Sequence, residues 1–225
     1  MNNFLDEIAK AKYILIVADV QNLPGASALY THILRLHKKV SLVCEATTLD
    51  KRLSFLPWFD KIKSTKISSA DFIIELDISC FELFNIFNNN NIKINTKMAT
   101  ALYSGLLQES NGFLNSNVNG TFFASIEQLI ECGADYKTCN NFIMKRTTLA
   151  ALRLKAIMLQ NMLLQNNSKA AVFCISNDDL KSTGTTLKDC SEALDEALKL
   201  PYVEQSVLLD TDNENEILKI IVKEI

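Results

Sequence analysis

The stretch 94–117, INTKMATALYSGLLQESNGFLNSN, contains the residue with the clearest chemical opportunity in the chain, Glu109. Met98, Ala101, Leu102, Gly105 and Leu106 recur at helical spacing. They predict a helix with one buried face, capped by Asn95 or Thr96. Gln108-Glu109-Ser110-Asn111-Gly112 then breaks the pattern with turn residues. A carboxylate at the end of a buried helix, beside a glycine turn, can face a phosphate-bearing ligand or a metal ion. The same residues also suit a plain helix C-terminus with solvated side chains.

The elements that must position such a group alternate between strand and helix. Phe4 to Lys12 reads as a helix, and Tyr13-Ile14-Leu15-Ile16-Val17 as a buried parallel strand, because it is continuously apolar and partly β-branched. Pro24 and Gly25 predict a turn. Ala26 to His37 predicts a helix with Ala28, Leu29, Ile33 and Leu36 on one face, and Val40 to Cys44 a second strand. Strand, turn, helix and strand make a right-handed βαβ unit. Ligands of such sheets lie beyond the carboxyl ends of the strands, here the loop from Ala18 to Gly25.

Thr48 to Ile67 reads as irregular, with Trp58 as a core residue in a packing corner. Asp71 to Ser79 predicts a strand, Cys80 to Phe87 a helix, and Thr121 to Cys132 an amphipathic helix closed by Gly133. Phe142 to Leu164 predicts one long helix that is apolar on two sides, which also suits a dimer seam. Gln165 to Ser168 marks a boundary. A strand follows from Ala170 to Ser176, a helix lined by Leu187, Cys190, Leu194 and Leu198, and strands Val203 to Leu209 and Ile217 to Ile225 around the turn Asp210 to Asn215.

Composition narrows the function classes. The chain has 225 residues, 48% hydrophobic and 22% charged, as for an α/β domain with a small second one. A net charge of −3 gives no bulk attraction to nucleic acid or an anionic membrane. No apolar run is long enough to span a bilayer, and MNNFLDEIAKAK lacks the order of a signal peptide. The 6 cysteines show no CxxC spacing. Together these features predict a cytoplasmic protein with reduced, mostly buried thiols and no membrane partner.

ATALYSGLLQESNGFLNSN resembles a segment of the DHH-family phosphoesterases, in the RecJ-like branch that degrades short oligoribonucleotides and dephosphorylates pAp. Members read approximately iATALYtGIltDTggFrysN. Glu109 stands where the family has a metal-binding Asp. Ser110, Gly112, Phe113, Ser116 and Asn117 follow the pattern, and Leu114 replaces a usual Arg. Asp71 to Ser79 is similar to the family's DliivlDtS, which makes Asp77 the best-preserved ligand candidate. In the first loop the family's HxNPDgD pattern is reduced to Asp19, without its histidine. Asp19 also reads as an ordinary loop aspartate that caps the next helix or faces water.

The resemblance implies what is missing as well. Ser79 runs directly into Cys80-Phe81-Glu82-Leu83, which resembles the family helix lying after the Asp-His-His segment, so that segment reads as deleted. The sequence ends after the last hairpin, before the glycine-rich GGGH segment with which relatives contact substrate. The implied organisation is an internally deleted DHH-like α/β domain over 1–135, a bridging helix over 136–167, and a truncated DHH-associated domain over 168–225. The implied fold is a Rossmann-like parallel sheet with flanking helices plus a small α/β C-terminal domain.

A two-metal phosphoesterase needs several carboxylates and imidazoles to hold and balance two divalent ions. This chain has 2 histidines, His32 and His37, both after the loop and read as surface or helix-end residues. Asp77 and Glu109, with Asp19, remain as the ligand candidates, a set suited at most to one Mg²⁺ or Mn²⁺. The reading is a binding protein without catalytic residues and with no cofactor expected. Its partner is a second copy, another protein, or a nucleotide or short oligonucleotide. A single-metal phosphoesterase using Mn²⁺ or Mg²⁺ on short oligonucleotides, pAp or other small phosphate esters is the alternative.

Overall fold

The computed structural model describes residues 3–46, 49–65, 69–116, 118–213 and 216–223. The expectations for Thr48, Ile67, Asn117, Asn215 and Ile225 fall outside the described residues. The chain forms two compact units, Met1–Arg146 and Thr147–Ile225.

The first unit is built on β1 (Tyr13–Ala18), whose YILIVA sequence is buried at all but one position. It pairs in parallel with β2 (Lys39–Val43) on one side and β4 (Phe72–Leu76) on the other, with β3 (Ile62–Lys63) beyond β2. The sheet order is β3-β2-β1-β4. Asp71 fixes the start of β4 by accepting the backbone N–H groups of Lys12 and Tyr13 at 3.1 and 2.9 Å. Asn22 fixes its other end by donating its Nδ2 to the Leu76 carbonyl at 2.9 Å. Helices α1 (Asn3–Lys10), α2 (Leu23–Arg35), α3 (Cys80–Asn89), α4 (Thr96–Glu109), α5 (Gly120–Glu131) and α6 (Tyr136–Ile143) complete the unit. The α/β expectation of a parallel sheet with flanking helices is met.

Pro24 and Gly25 make no turn. The chain turns earlier, through Val20–Asn22, and Pro24 sits in the first turn of α2, where its missing N–H costs nothing. Asn95, not Thr96, caps α4, with its Oδ1 accepting the Met98 N–H at 2.9 Å. Gly105 is required where α4 crosses α3. A Cβ there would lie 2.1 Å from the Cys80 sulfur and 2.8 Å from its Cβ.

The expected long helix from Phe142 to Leu164 is broken. α6 ends at Ile143, and a new helix α7 (Leu149–Gln160) begins at Thr148, whose Oγ1 accepts the Ala151 N–H at 3.0 Å. Leu163 matched the helical spacing by coincidence, because it belongs to β5 (Leu163–Gln165). Asn166, Asn167 and Ser168 then turn the chain with φ of 52°, 55° and 67°. β5 pairs antiparallel with β6 (Ala170–Ile175), which runs parallel to β7 (Gln205–Asp210), which pairs antiparallel with β8 (Glu216–Val222).

A short helix α8 (Asn177–Thr183), not expected from sequence, opens on a capping box between Ser176 and Asp179. α9 (Ser191–Leu198) follows a single 3-10 turn. Leu154 and Met158 of α7, with Ala193, Leu194 and Ala197 of α9, bury Ala171, Phe173, Ile175 and Leu208 on one face of the second sheet.

Candidate functional site

Asp77 lies one residue beyond β4 and is exposed, in the crevice at the carboxyl ends of the first sheet. Glu109 is the last residue of α4. The turn behind it is held by Ser110, fully buried, whose Oγ donates to the Leu106 carbonyl at 2.7 Å and accepts the Phe113 N–H at 3.0 Å. Phe113 there has φ of 71°, a conformation that costs a bulky residue energy.

Glu109 has a defined structural partner. A helix leaves its first N–H groups without acceptors inside the helix. At the start of α3, Ser79 Oγ accepts the Glu82 N–H at 3.0 Å, and Glu109 Oε1 accepts the Cys80 N–H at 2.6 Å. The Glu109 negative charge sits at the positive end of the helix, which favours it. Even so, burial raises the Glu109 pKa above its ordinary 4.5, against the opposing pull of the Cys80 and Phe81 groups at the start of α3. The Cys80 thiol is pushed well above its usual range, first by burial and then by the Glu109 charge.

Asp77 and Glu109 line one cavity of about 340 Å³ with Gln21, Asn22, Ser79 and Gln108. A second cavity of about 270 Å³ shares Ser79 and Glu109 and is walled by Phe81, Phe122 and Asn119. The Phe81 and Phe122 rings stack with centroids 5.3 Å apart and planes inclined by 23°. Asp19 stands elsewhere, in an adjoining cavity with Glu45, Asp50 and Arg52, where Arg52 pairs with Asp50 at 2.8 Å. The sequence reading missed the aromatic wall and the clasp on α3, since both depend on residues distant in the chain. Only Ser79, three residues before Glu82, carried a local helix-start signal.

The donor set does not fit the metal centre that the resemblance implies. Among the described residues no three His, Cys, Asp or Glu side chains are grouped to hold a metal ion. His37 is exposed beyond α2. His32 lies in the last turn of α2, as the helix-end reading has it, but not at the surface: it is 8% exposed and packs on Phe87 at 5.5 Å, so it supplies no ligand to the cleft. All 6 cysteines are unpaired, with Cys44, Cys80, Cys139 and Cys190 buried. No helix among the described residues is long and apolar enough to cross a membrane.

The chain is similar to the bifunctional oligoribonuclease and PAP phosphatase NrnA of Bacillus subtilis (strain 168), with 29% identity over 112 residues. The match covers 50% of this chain and 35% of that protein, so the chain spans about a third of the length of the curated relative it matches. Its fold is similar to that of an exopolyphosphatase-related protein from Bacteroides fragilis, with a TM-score of 0.73 at 15% identity over 95% of this chain and 80% of that one. RecJ from Thermus thermophilus, solved with Mn²⁺, is more distant, with a TM-score of 0.40 and 12% identity over 93% of this chain and 45% of that one. No protein-family model matches the chain.

Proposed function

We propose that this chain, a relative of the DHH-family phosphoesterases, acts by binding and not by turnover. The observation that supports this most is the use of Glu109. The carboxylate at the family's metal-ligand position is spent on the first N–H group of α3. The direct passage from Ser79 into that helix supports the reading that the Asp-His-His segment has been lost. Asp77 alone would remain for a metal, and a single exposed carboxylate holds a hard cation weakly. The test is a hydrolysis assay with Mn²⁺ and Mg²⁺ on pAp, on dinucleotides and on a generic phosphodiester. No turnover above background is expected. Turnover that vanishes in Asp77→Ala would overturn the reading and favour a single-metal phosphoesterase, which the shared cavity of Asp77 and Glu109 would then serve.

The proposal extends to self-association through the second sheet. Its helix-free face carries Leu163, Ile217, Ile220 and Val222, exposed at 57, 58, 51 and 63%. Contiguous apolar surface of this kind marks an interface, and β8 is also an open edge strand. Ile221 lies on the opposite face, packed towards the helices, so a charge there would damage the fold. The informative change is Ile220→Lys with Val222→Glu. Light scattering should show a dimer for the unmodified chain and a monomer for this variant. A monomeric unmodified chain would refute this part.

A further inference from the structure

Two cavities meet at one carboxylate. One is walled by the stacked rings of Phe81 and Phe122; the other is lined by Asn22, Asp77 and Gln108, and both include Glu109 and Ser79. We infer that this two-lobed cleft binds an organic cation, an ammonium group carried on an apolar body of about the size of a benzene ring. The inference rests on the reading of the site as one that binds without turnover.

Three observations support it. The first is charge. Among the described residues no Lys, Arg or His lines either lobe, whereas Asp77 and Glu109 do. A phosphate or carboxylate ligand would meet two like charges with no counter-charge. A cation would instead offset the burial of Glu109, which the Cys80 N–H leaves only partly compensated. The second is the hydrogen-bonding inventory. Asp77 is exposed, and Glu109 gives one oxygen to the Cys80 N–H, so acceptor positions remain on both carboxylates. An ammonium group is all donor, with three N–H bonds to give. The third is the aromatic wall. The paired rings give an apolar wall that buries an apolar body without asking for hydrogen bonds.

The test is calorimetric titration of the full chain at low salt and near-neutral pH with phenethylammonium chloride. Phenethyl alcohol serves as the neutral isostere, and adenosine monophosphate and MnCl₂ as competitors of other classes. The amine should bind at one saturable site. The alcohol should bind roughly tenfold more weakly or worse, and Asp77→Asn and Glu109→Gln should each weaken the amine by about the same factor. Phe81→Ser should weaken amine and alcohol alike. Asp77 is exposed, so its Asn variant keeps the fold and the test stays decisive. Equal affinity for alcohol and amine, an unchanged affinity in Asp77→Asn, tighter binding of adenosine monophosphate or of Mn²⁺ than of the amine, or no amine binding at all would each overturn the inference. Hydrolysis in the assay described above would instead sink the non-catalytic reading, so the two failures are told apart.

Discussion

Replacing Glu109 tests whether the residue serves the fold or a lost metal. Glu109→Ala leaves the buried Cys80 N–H without an acceptor. Such a group costs about 1–3 kcal/mol when left unpaired in the interior. Removing a partly buried charge returns some of that, so a net loss of roughly 1–2 kcal/mol is expected. For a unit of the size of Met1–Arg146, at about 3 °C per kcal/mol, the Tm of its transition should fall by about 3–6 °C. Glu109→Gln keeps a carbonyl oxygen for the Cys80 N–H and should stay within about 1 kcal/mol of the unmodified chain.

Glu109→Asp restores the residue of the family pattern but shortens the side chain by one methylene, so the carboxylate withdraws from α3. It should lose about 1–2 kcal/mol, in the range of a lost helix cap, and gain no metal affinity. The pH dependence gives a second readout. Burial raises the folded pKa of Glu109 above 4.5, so the folded chain holds the proton more firmly than the unfolded one. Stability from this group is therefore fully present below 4.5 and declines as the pH rises through the raised value. Glu109→Gln lacks that decline, so its stability relative to the unmodified chain should improve between about pH 4 and pH 7. Calorimetry and urea unfolding across that range provide the measurement. A Glu109→Ala chain within about 0.5 kcal/mol of the original would refute the clasp. So would a Glu109→Asp chain of undiminished stability whose Tm rises with Mn²⁺.

The double variant Asp77→Asn with Glu109→Gln should unfold at the same temperature or slightly higher, and Mn²⁺ should raise the Tm of the unmodified chain little; a large Mn²⁺ shift absent from the double variant would contradict both expectations. Gly105→Ala forces a methyl group to within 2.1 Å of the Cys80 sulfur. It should cost about 3 kcal/mol or more. Adding Cys80→Ala should rescue only part of the loss, because the Cβ contact at 2.8 Å remains. His32 has its pKa lowered from 6.5 first by burial and then by Arg35, so the stability it provides is present above 6.5 and lost as the pH falls through the lowered value. His32→Gln should flatten the acid side of the stability profile in urea unfolding, and an unchanged profile would show that the imidazole titrates freely.

Local signals in the sequence sufficed for β1, β2 and β4 and for α4, but not for the two-residue β3 in the stretch read as irregular. The run Tyr13 to Val17 is apolar at every position, and a strand buried on both faces needs nothing more to declare itself. Asn95 and Met98 to Leu106 wrote their helix in the same local way. The family likeness was also local, carried by short stretches such as Asp71 to Ser79 and the segment ending at Asn117. Tertiary structure decided what the chemistry-bearing residues do. From sequence Glu109 could face a ligand or the solvent. Which it faces depends on α3, whose first residue lies 29 positions earlier and whose unpaired N–H groups take up the carboxylate.

Gly105 read as one more residue of the buried helical face and is the point where two helices touch. The long helix failed because periodicity cannot separate Leu163 of a strand from the next turn of a helix. The break at Thr148 depends on one side-chain hydrogen bond that competes with continuation, and hydrophobic spacing does not register it. Spacing along the chain reports which face a residue takes. Which acceptor a buried donor finds is settled only when distant segments pack, because every buried N–H must be paired by whatever the fold brings beside it.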